Sequence, residues 1–126
     1  MTADVPAGLE LAGDAHQLKD LFVSLLENAA HYTPEGGAIH VSAREDGAGN
    51  VIVEVRDSGI GLSETDAAHA LDRFYRGPRA RRMYPAGAGL GLAIAARIAG
   101  IHGGSLELRA NDGPGATAIV HLPLLT

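Results

Sequence analysis

The chain has 126 residues, no cysteine, six histidines and a formal net charge of -5. That length suits one domain around one core. The acidic balance gives little support to a nucleic-acid-binding role, which needs a basic patch against phosphates, so no nucleic-acid partner is expected. The lack of cysteine excludes disulfides and thiolate metal sites and fits a reducing compartment. No apolar run approaches the roughly twenty residues that span a bilayer, and no charged-then-apolar leader opens the sequence, so direct membrane contact is not expected.

Taken in order, the chain predicts a short strand near Gly8 to Leu11, then a helix from an Asp14 N-cap to about Tyr32, closed by Thr33-Pro34 and Glu35-Gly36-Gly37. At 100° per residue, Leu18, Leu21, Phe22, Leu25, Leu26 and Ala29 of that helix form one apolar stripe, with Asn28 at its margin and Ser24 and His31 a turn either side. Strands at about Ala38 to Arg44 and Asn50 to Arg56 flank an Asp46-Gly47-Ala48-Gly49 hairpin turn. A short helix around Glu64 to Leu71 and a long loop from Gly77 to Ala88 precede a helix from about Gly89 to His102, which ends at Gly103-Gly104. Strands at about Ser105 to Arg109 and Thr117 to Leu122 close the chain around an Asn111-Asp112-Gly113-Pro114-Gly115 turn. The pattern predicts an α/β two-layer sandwich: one mixed, mainly antiparallel sheet with helices packed on one face.

Two glycine motifs carry the chemistry. Asp57-Ser58-Gly59-Ile60-Gly61-Leu62 follows an alternating strand, so a carboxylate stands at the strand end beside glycines that let backbone approach a flat ligand. About thirty residues later, Gly87-Ala88-Gly89-Leu90-Gly91-Leu92 opens a helix, whose N-terminal N–H groups suit anionic oxygens. The second motif lacks the lysine of a P-loop and the spacing of a dinucleotide fingerprint, and alone it would be weak. The order is the stronger signal: a helical Asn, a strand-end Asp-x-Gly-x-Gly, an aromatic and basic segment, then Gly-x-Gly-Leu-Gly-Leu.

In that order the chain resembles the catalytic, ATP-binding domain of two-component sensor histidine kinases, a branch of the gyrase, chaperone, kinase and mismatch-repair ATPases with the Bergerat fold. Leu25-Leu26-Glu27-Asn28-Ala29-Ala30-His31-Tyr32-Thr33-Pro34 is similar to the N box, Asp57 to Leu62 to the G1 box, Arg73-Phe74-Tyr75-Arg76-Gly77 to the F box and Gly87 to Leu92 to the G2 box. The likeness covers nearly the whole of residues 1–126, which it implies to be a single domain with an ATP lid at about 77–88. It implies ATP and Mg2+ as cofactors. Asp57 would accept a hydrogen bond from the adenine amino group, where guanine would turn a carbonyl towards it, with Gly59 and Gly61 beside the base. Asn28 would give an amide oxygen to Mg2+. Tyr32 matches the aromatic beside adenine and also falls near the apolar stripe, so base contact and core packing both fit it. His31, Arg73 and Arg76 match positions near the phosphates, Asn28 and Arg76 being the catalytic pair. Gly87, Gly89, Leu90, Gly91 and Leu92 would line the phosphate side. The lid arginines Arg79, Arg81 and Arg82 read as solvated.

Three positions depart from the family pattern. Ser24 stands where a second Asn is common, His31 where Lys is common, and Gly115-Ala116-Thr117-Ala118 where Gly-Thr-x-Phe is usual. Thr117 is then the hydroxyl counted with the nucleotide-binding residues, and phosphate contacts are weaker or differently shared. The acceptor His of the family lies on a preceding helical hairpin, and none of His16, His31, His40, His69, His102 and His121 fits that role. The resemblance therefore implies a kinase domain that transfers the γ-phosphate of Mg-ATP to a His on the separate dimerisation domain of its parent, and so acts indirectly on a response regulator. Its location would be cytoplasmic, free or as the cytoplasmic part of a membrane-bound sensor. An anti-sigma-type serine kinase and a non-catalytic ATP-sensing module are the alternatives.

Overall fold

The computed structural model describes residues 2–4, 11, 13–61, 63, 66, 69, 71–72 and 91–123. Helix α1 spans Ala15–His31 and starts as its sequence dictates: Asp14 has extended backbone, and its Oδ1 accepts the Gln17 N–H at 2.9 Å. That bond satisfies one of the donors a helix start leaves open. The leucines of the expected stripe are inside, Leu21 and Leu25 almost completely so, with Phe22 and Leu26 packed against them.

Strands β2 (Ile39–Glu45) and β3 (Asn50–Asp57) pair antiparallel from Ile39 opposite Asp57 to Glu45 opposite Val51. Their turn is keyed by Asp46, whose Oδ1 accepts the N–H groups of Ala48 and Asn50. Those hydrogen bonds, Ala48 first, hold the exposed Asp46 carboxyl below its ordinary pKa. Helix α2 (Gly91–Ile101) leads to β4 (Ser105–Ala110), which pairs antiparallel with β5 (Ala116–Pro123). The end of α2 is closed by Gly103 N–H to the Gly100 carbonyl and Gly104 N–H to the Ala99 carbonyl, the paired bonds of a Schellman turn.

A three-residue strand β1 (Thr2–Asp4) lies parallel on β2, and the sheet order is β1-β2-β3-β5-β4. The sheet is thus mixed and mainly antiparallel, as expected. The strand expected near Gly8 to Leu11 falls, Leu11 apart, outside the described residues, as does most of the short helix expected at 64–71. Three residues on a sheet edge carry no alternation to read, so β1 left no mark in the sequence pattern.

One face of the sheet carries the core. Val51, Val53 and Val55 of β3, Ala118, Val120 and Leu122 of β5 and Leu106 of β4 meet Leu18, Leu21, Leu25 and Ala29 of α1 and Ala95, Ile98 and Ala99 of α2. Alternation sends Ile52, Glu54 and Arg56 to the other face, away from the helices. Truncating a fully buried leucine of this layer to Ala costs about 2–5 kcal/mol, so the helices are fixed to the sheet and not merely resting on it.

Candidate nucleotide site

Asp57 ends β3, and three groups hold it. Its Oδ1 accepts the Gly59 N–H at 2.9 Å and the Ala116 N–H at 3.2 Å, and its main-chain carbonyl accepts the Asn111 side-chain amide at 2.9 Å. The other carboxylate oxygen has no hydrogen-bond partner among the described residues. Burial raises the Asp57 pKa above the usual carboxylate value, and the hydrogen bonds from Gly59 and Ala116 pull it back in part. The result is an acceptor partly stripped of water, fixed on one side and free on the other, which suits a ligand N–H.

The C-terminal end of α1 is docked onto the same loop. The Tyr32 carbonyl accepts the Ile60 N–H at 3.1 Å, and a Cβ on Gly59 would stand 2.1 Å from that carbonyl oxygen, so the approach needs glycine. Ser58 closes the other side, exchanging N–H to Ala38 carbonyl at 3.0 Å and Ala38 N–H to Oγ at 2.8 Å. Thr33 Oγ1 donates to the Ala29 carbonyl at 2.7 Å, finishing the helix. Tyr32 and His31 are half-buried at this end, and half-buried Asn28 lies one turn back. No hydrogen bond occupies the Asn28 amide among the described residues.

Helix directions follow from the joints at the far end. His102, just after α2, accepts the Asp14 N–H at the start of α1, so the end of one helix meets the beginning of the other. The two helices pack together and run antiparallel. The N-terminus of α2, at Gly91 and Leu92, therefore shares the end of the layer with Tyr32 and the Asp57 loop. A helix start presents unpaired N–H groups and the positive end of its dipole, which favours anionic oxygens. The site therefore has a carboxylate at one wall and a helix N-terminus at another.

Of the residues singled out in the sequence, Asn28, His31, Tyr32, Asp57, Gly59, Gly61, Gly91 and Leu92 gather at this end. Arg73, Arg76, Gly87, Gly89 and Leu90, with the lid expected at 77–88, lie outside the described residues. Thr117 is placed differently. Alternation along β5 turns its side chain to the sheet face away from the helices, where its hydroxyl donates to Asn111 Oδ1 at 2.6 Å. Sequence reasoning missed Asn111 and the Ala116 N–H. Both sit in a segment read only as a turn and strand, and a main-chain donor leaves no trace in residue identity. No cluster of three His, Cys, Asp or Glu able to hold a metal occurs among the described residues. Asn28 offers an amide oxygen that no hydrogen bond occupies among the described residues, which fits a Mg2+ held mainly by phosphates and water and not by a protein cage.

The chain belongs to the histidine kinase-, DNA gyrase B- and HSP90-like ATPase family, whose model matches residues 13–126. It is 37% identical over 123 residues to the sensor-like histidine kinase SenX3 of Mycolicibacterium smegmatis, covering 98% of this chain and 32% of that protein. The chain thus spans about a third of the length of that relative. Among solved structures it is similar to the mycobacterial sensor histidine kinase MprB, with a TM-score of 0.85 and 28% identity over 98% of this chain and 80% of the other. The full-length ShkA complex with AMPPNP has a TM-score of 0.81 and 27% identity, over 99% of this chain and 25% of the other. The expected family and the expected fold are both borne out. No described helix is long and apolar enough to cross a membrane.

Proposed function

We propose that this domain binds Mg-ATP and transfers its γ-phosphate to a histidine on a separate helical hairpin of a parent sensor kinase. The observation that carries the reading is the state of Asp57: one oxygen takes two main-chain donors, and the other has no hydrogen bond among the described residues, at a loop docked to α1. An adenine amino group supplies the missing donor, and guanine would bring a carbonyl against it. ShkA, solved with AMPPNP, has the same fold, which supports an adenine nucleotide as the ligand.

Within this reading Asn28 would offer its amide oxygen to Mg2+, which when bound would supply charge neutralisation for the phosphates. The α2 N-terminus would hold phosphate oxygens, and the family motifs assign Gly87, Gly89 and Leu90 to the phosphate side and Arg73 and Arg76 to the terminal phosphates. Tyr32 packs beside the base. His31 stands at the phosphate side of α1 and adds charge only when protonated. Phosphoryl transfer needs positioning and charge neutralisation more than covalent help, so an acceptor imidazole can be the nucleophile without a base from this chain. Ser24 has no carboxylate to activate water. The parent's response regulator is then served through the phosphorylated hairpin, and the domain works on the cytoplasmic side.

The test is transfer of label from γ-labelled ATP to purified hairpin added in trans. Acid-labile, alkali-stable label on the hairpin is expected, and it should disappear with Asp57→Asn. Label only on a serine acceptor, or no ATP binding at all, would overturn the assignment.

A further inference from the structure

Asn111 joins three parts of the site that no other described side chain joins. Its Nδ2 donates to the Asp57 carbonyl at 2.9 Å and to the Pro114 carbonyl at 3.0 Å, and its Oδ1 accepts the Thr117 hydroxyl at 2.6 Å. The partners fix the amide orientation, because neither carbonyl can donate and only Oδ1 can receive a hydroxyl proton in that arrangement. The Asn111 N–H also donates to the Gly115 carbonyl at 3.1 Å, closing the turn. Every polar atom of this side chain is therefore used to tie the β4–β5 turn to the end of β3.

The turn matters because the next residue supplies a donor to Asp57. The Ala116 N–H reaches Asp57 Oδ1 at 3.2 Å, while Gly115 crosses the Asp57 carbonyl so closely that a Cβ there would stand 1.9 Å from it. A cleft of about 330 Å³ opens between the Gly59–Gly61 loop and this turn, with Asn111 in its wall. Asp57 is thus clamped through its carbonyl by Asn111 and through its carboxylate by Ala116, and both clamps move with one turn.

We propose that Asn111, seated by Thr117, is a positioning residue that sets which carboxylate oxygen of Asp57 is offered to the nucleobase. The proposal rests on the reading that Asp57 takes the amino group of adenine. It also gives Thr117 a part in nucleotide recognition that needs no ligand contact: its hydroxyl holds Asn111, and Asn111 holds Asp57. Asn111→Asp keeps the shape and turns an oxygen towards two carbonyls. Thr117→Val keeps the β-branched strand residue and removes the hydroxyl.

The experiment compares the affinities of Mg-ATP and of the Mg complex of purine riboside triphosphate, which lacks the 6-amino group, for the parent and both variants. In the parent, ATP should bind more tightly. Asn111→Asp should weaken ATP roughly tenfold, a loss of the order of one well-made hydrogen bond, while leaving the purine analogue nearly unchanged. Thr117→Val should do the same to a smaller degree, and the double variant should lose no more than Asn111→Asp, as members of one chain of bonds do. Equal loss for both nucleotides would make Asn111 a purely structural brace and overturn the proposal, as would unchanged ATP affinity in both variants. A parent that binds the two nucleotides equally would overturn the Asp57 reading itself, and the proposal with it. Should Asn111→Asp unfold, Thr117→Val alone decides, read against its thermal melt.

Discussion

The Asp14 N–H donates to Nε2 of His102 at 3.1 Å, joining the first residue before α1 to the first after α2. The Nδ1 of the same ring lies 2.8 Å from the Ile98 carbonyl. A carbonyl can only accept and an N–H can only donate, so the ring is neutral with its proton on Nδ1. This single side chain closes one helix end and opens the other, at the far end of the layer from Asp57. His102→Ala should lower stability by about 2 kcal/mol, two hydrogen bonds at about 1 kcal/mol each, without weakening nucleotide binding. Urea unfolding with and without ATP checks both halves, and nitrogen NMR should show the Nδ1-H tautomer.

Gly13 stands against that ring, with a φ of +152° and a position where a Cβ would lie 2.1 Å from His102 Cδ2. Gly13→Ala should therefore displace the imidazole and lose the Asp14 bond along with it. Part of its destabilisation should disappear in a His102→Ala background, because both changes strike one contact, while the cost of the positive φ stays. A double-mutant cycle by urea midpoint measures this; simple additivity would show that the glycine is needed for its backbone alone.

Asp57 makes a pH prediction with a definite sign. Burial raises its native pKa above the unfolded value of 3.8, so the fold disfavours the ionised form. The stability this group contributes is full below the unfolded value and is lost as pH rises through the native one. Asp57→Asn, whose amide oxygen can still accept from Gly59 and Ala116, should match the parent in melting temperature at low pH and equal or exceed it at neutral pH. ATP affinity should move the opposite way, falling at least about tenfold at neutral pH because the charged acceptor is gone. Paired thermal melts across that pH range, with calorimetric titration at neutral pH, decide it. A variant that binds ATP like the parent would remove Asp57 from the base contact.

The sequence showed most of this layer because its signals are local. Asp14 announced its own N-cap, the leucine spacing from Leu18 to Leu25 announced the buried stripe, and Val51, Val53 and Val55 announced the inner face of β3. Asp57 could be found because Gly59 and Gly61 follow it directly. Asn111 could not, since its partners stand 54 positions away at Asp57 and on the next strand at Thr117, and Asn-Asp-Gly-Pro-Gly is already explained by its turn. The motif places Thr117 among the ligand-binding residues, whereas strand alternation turns it to the other face, onto Asn111. That face follows from alternation with the inward Ala118, Val120 and Leu122.

Asn28 offers the one test of the metal. On the proposed reading its amide oxygen would act through Mg2+, so Asn28→Ala should weaken ATP binding when Mg2+ is present and should match the parent once a chelator is added. The side chain is half-buried with no hydrogen bond among the described residues, so the loss in fold stability should be small. Calorimetric titration in the two buffers separates the cases. An equal loss in both would make Asn28 a structural residue of α1.

The isolated domain should bind Mg-ATP, hydrolyse it slowly and carry no stable phosphohistidine, for reasons visible in where its histidines stand. His16 sits in the first turn of α1 at the end opposite Asp57, and His102 has both ring nitrogens engaged. His40, paired with Arg56, and His121, paired with Ile52, project from the sheet face away from the helices. His69 holds Asp72 at 2.9 Å. His31, in the last turn of α1, shares an end of the helix layer with the Asp57 loop, and it is half-buried in the helix that the site is built on. Incubation with γ-labelled ATP followed by alkaline gel analysis should leave the domain unlabelled, and added hairpin should take label slowly because no tether raises its effective concentration. Stoichiometric label on the domain alone, mapped to His31 and lost in His31→Ala, would make this chain its own acceptor and sink the assignment of transfer to a separate hairpin.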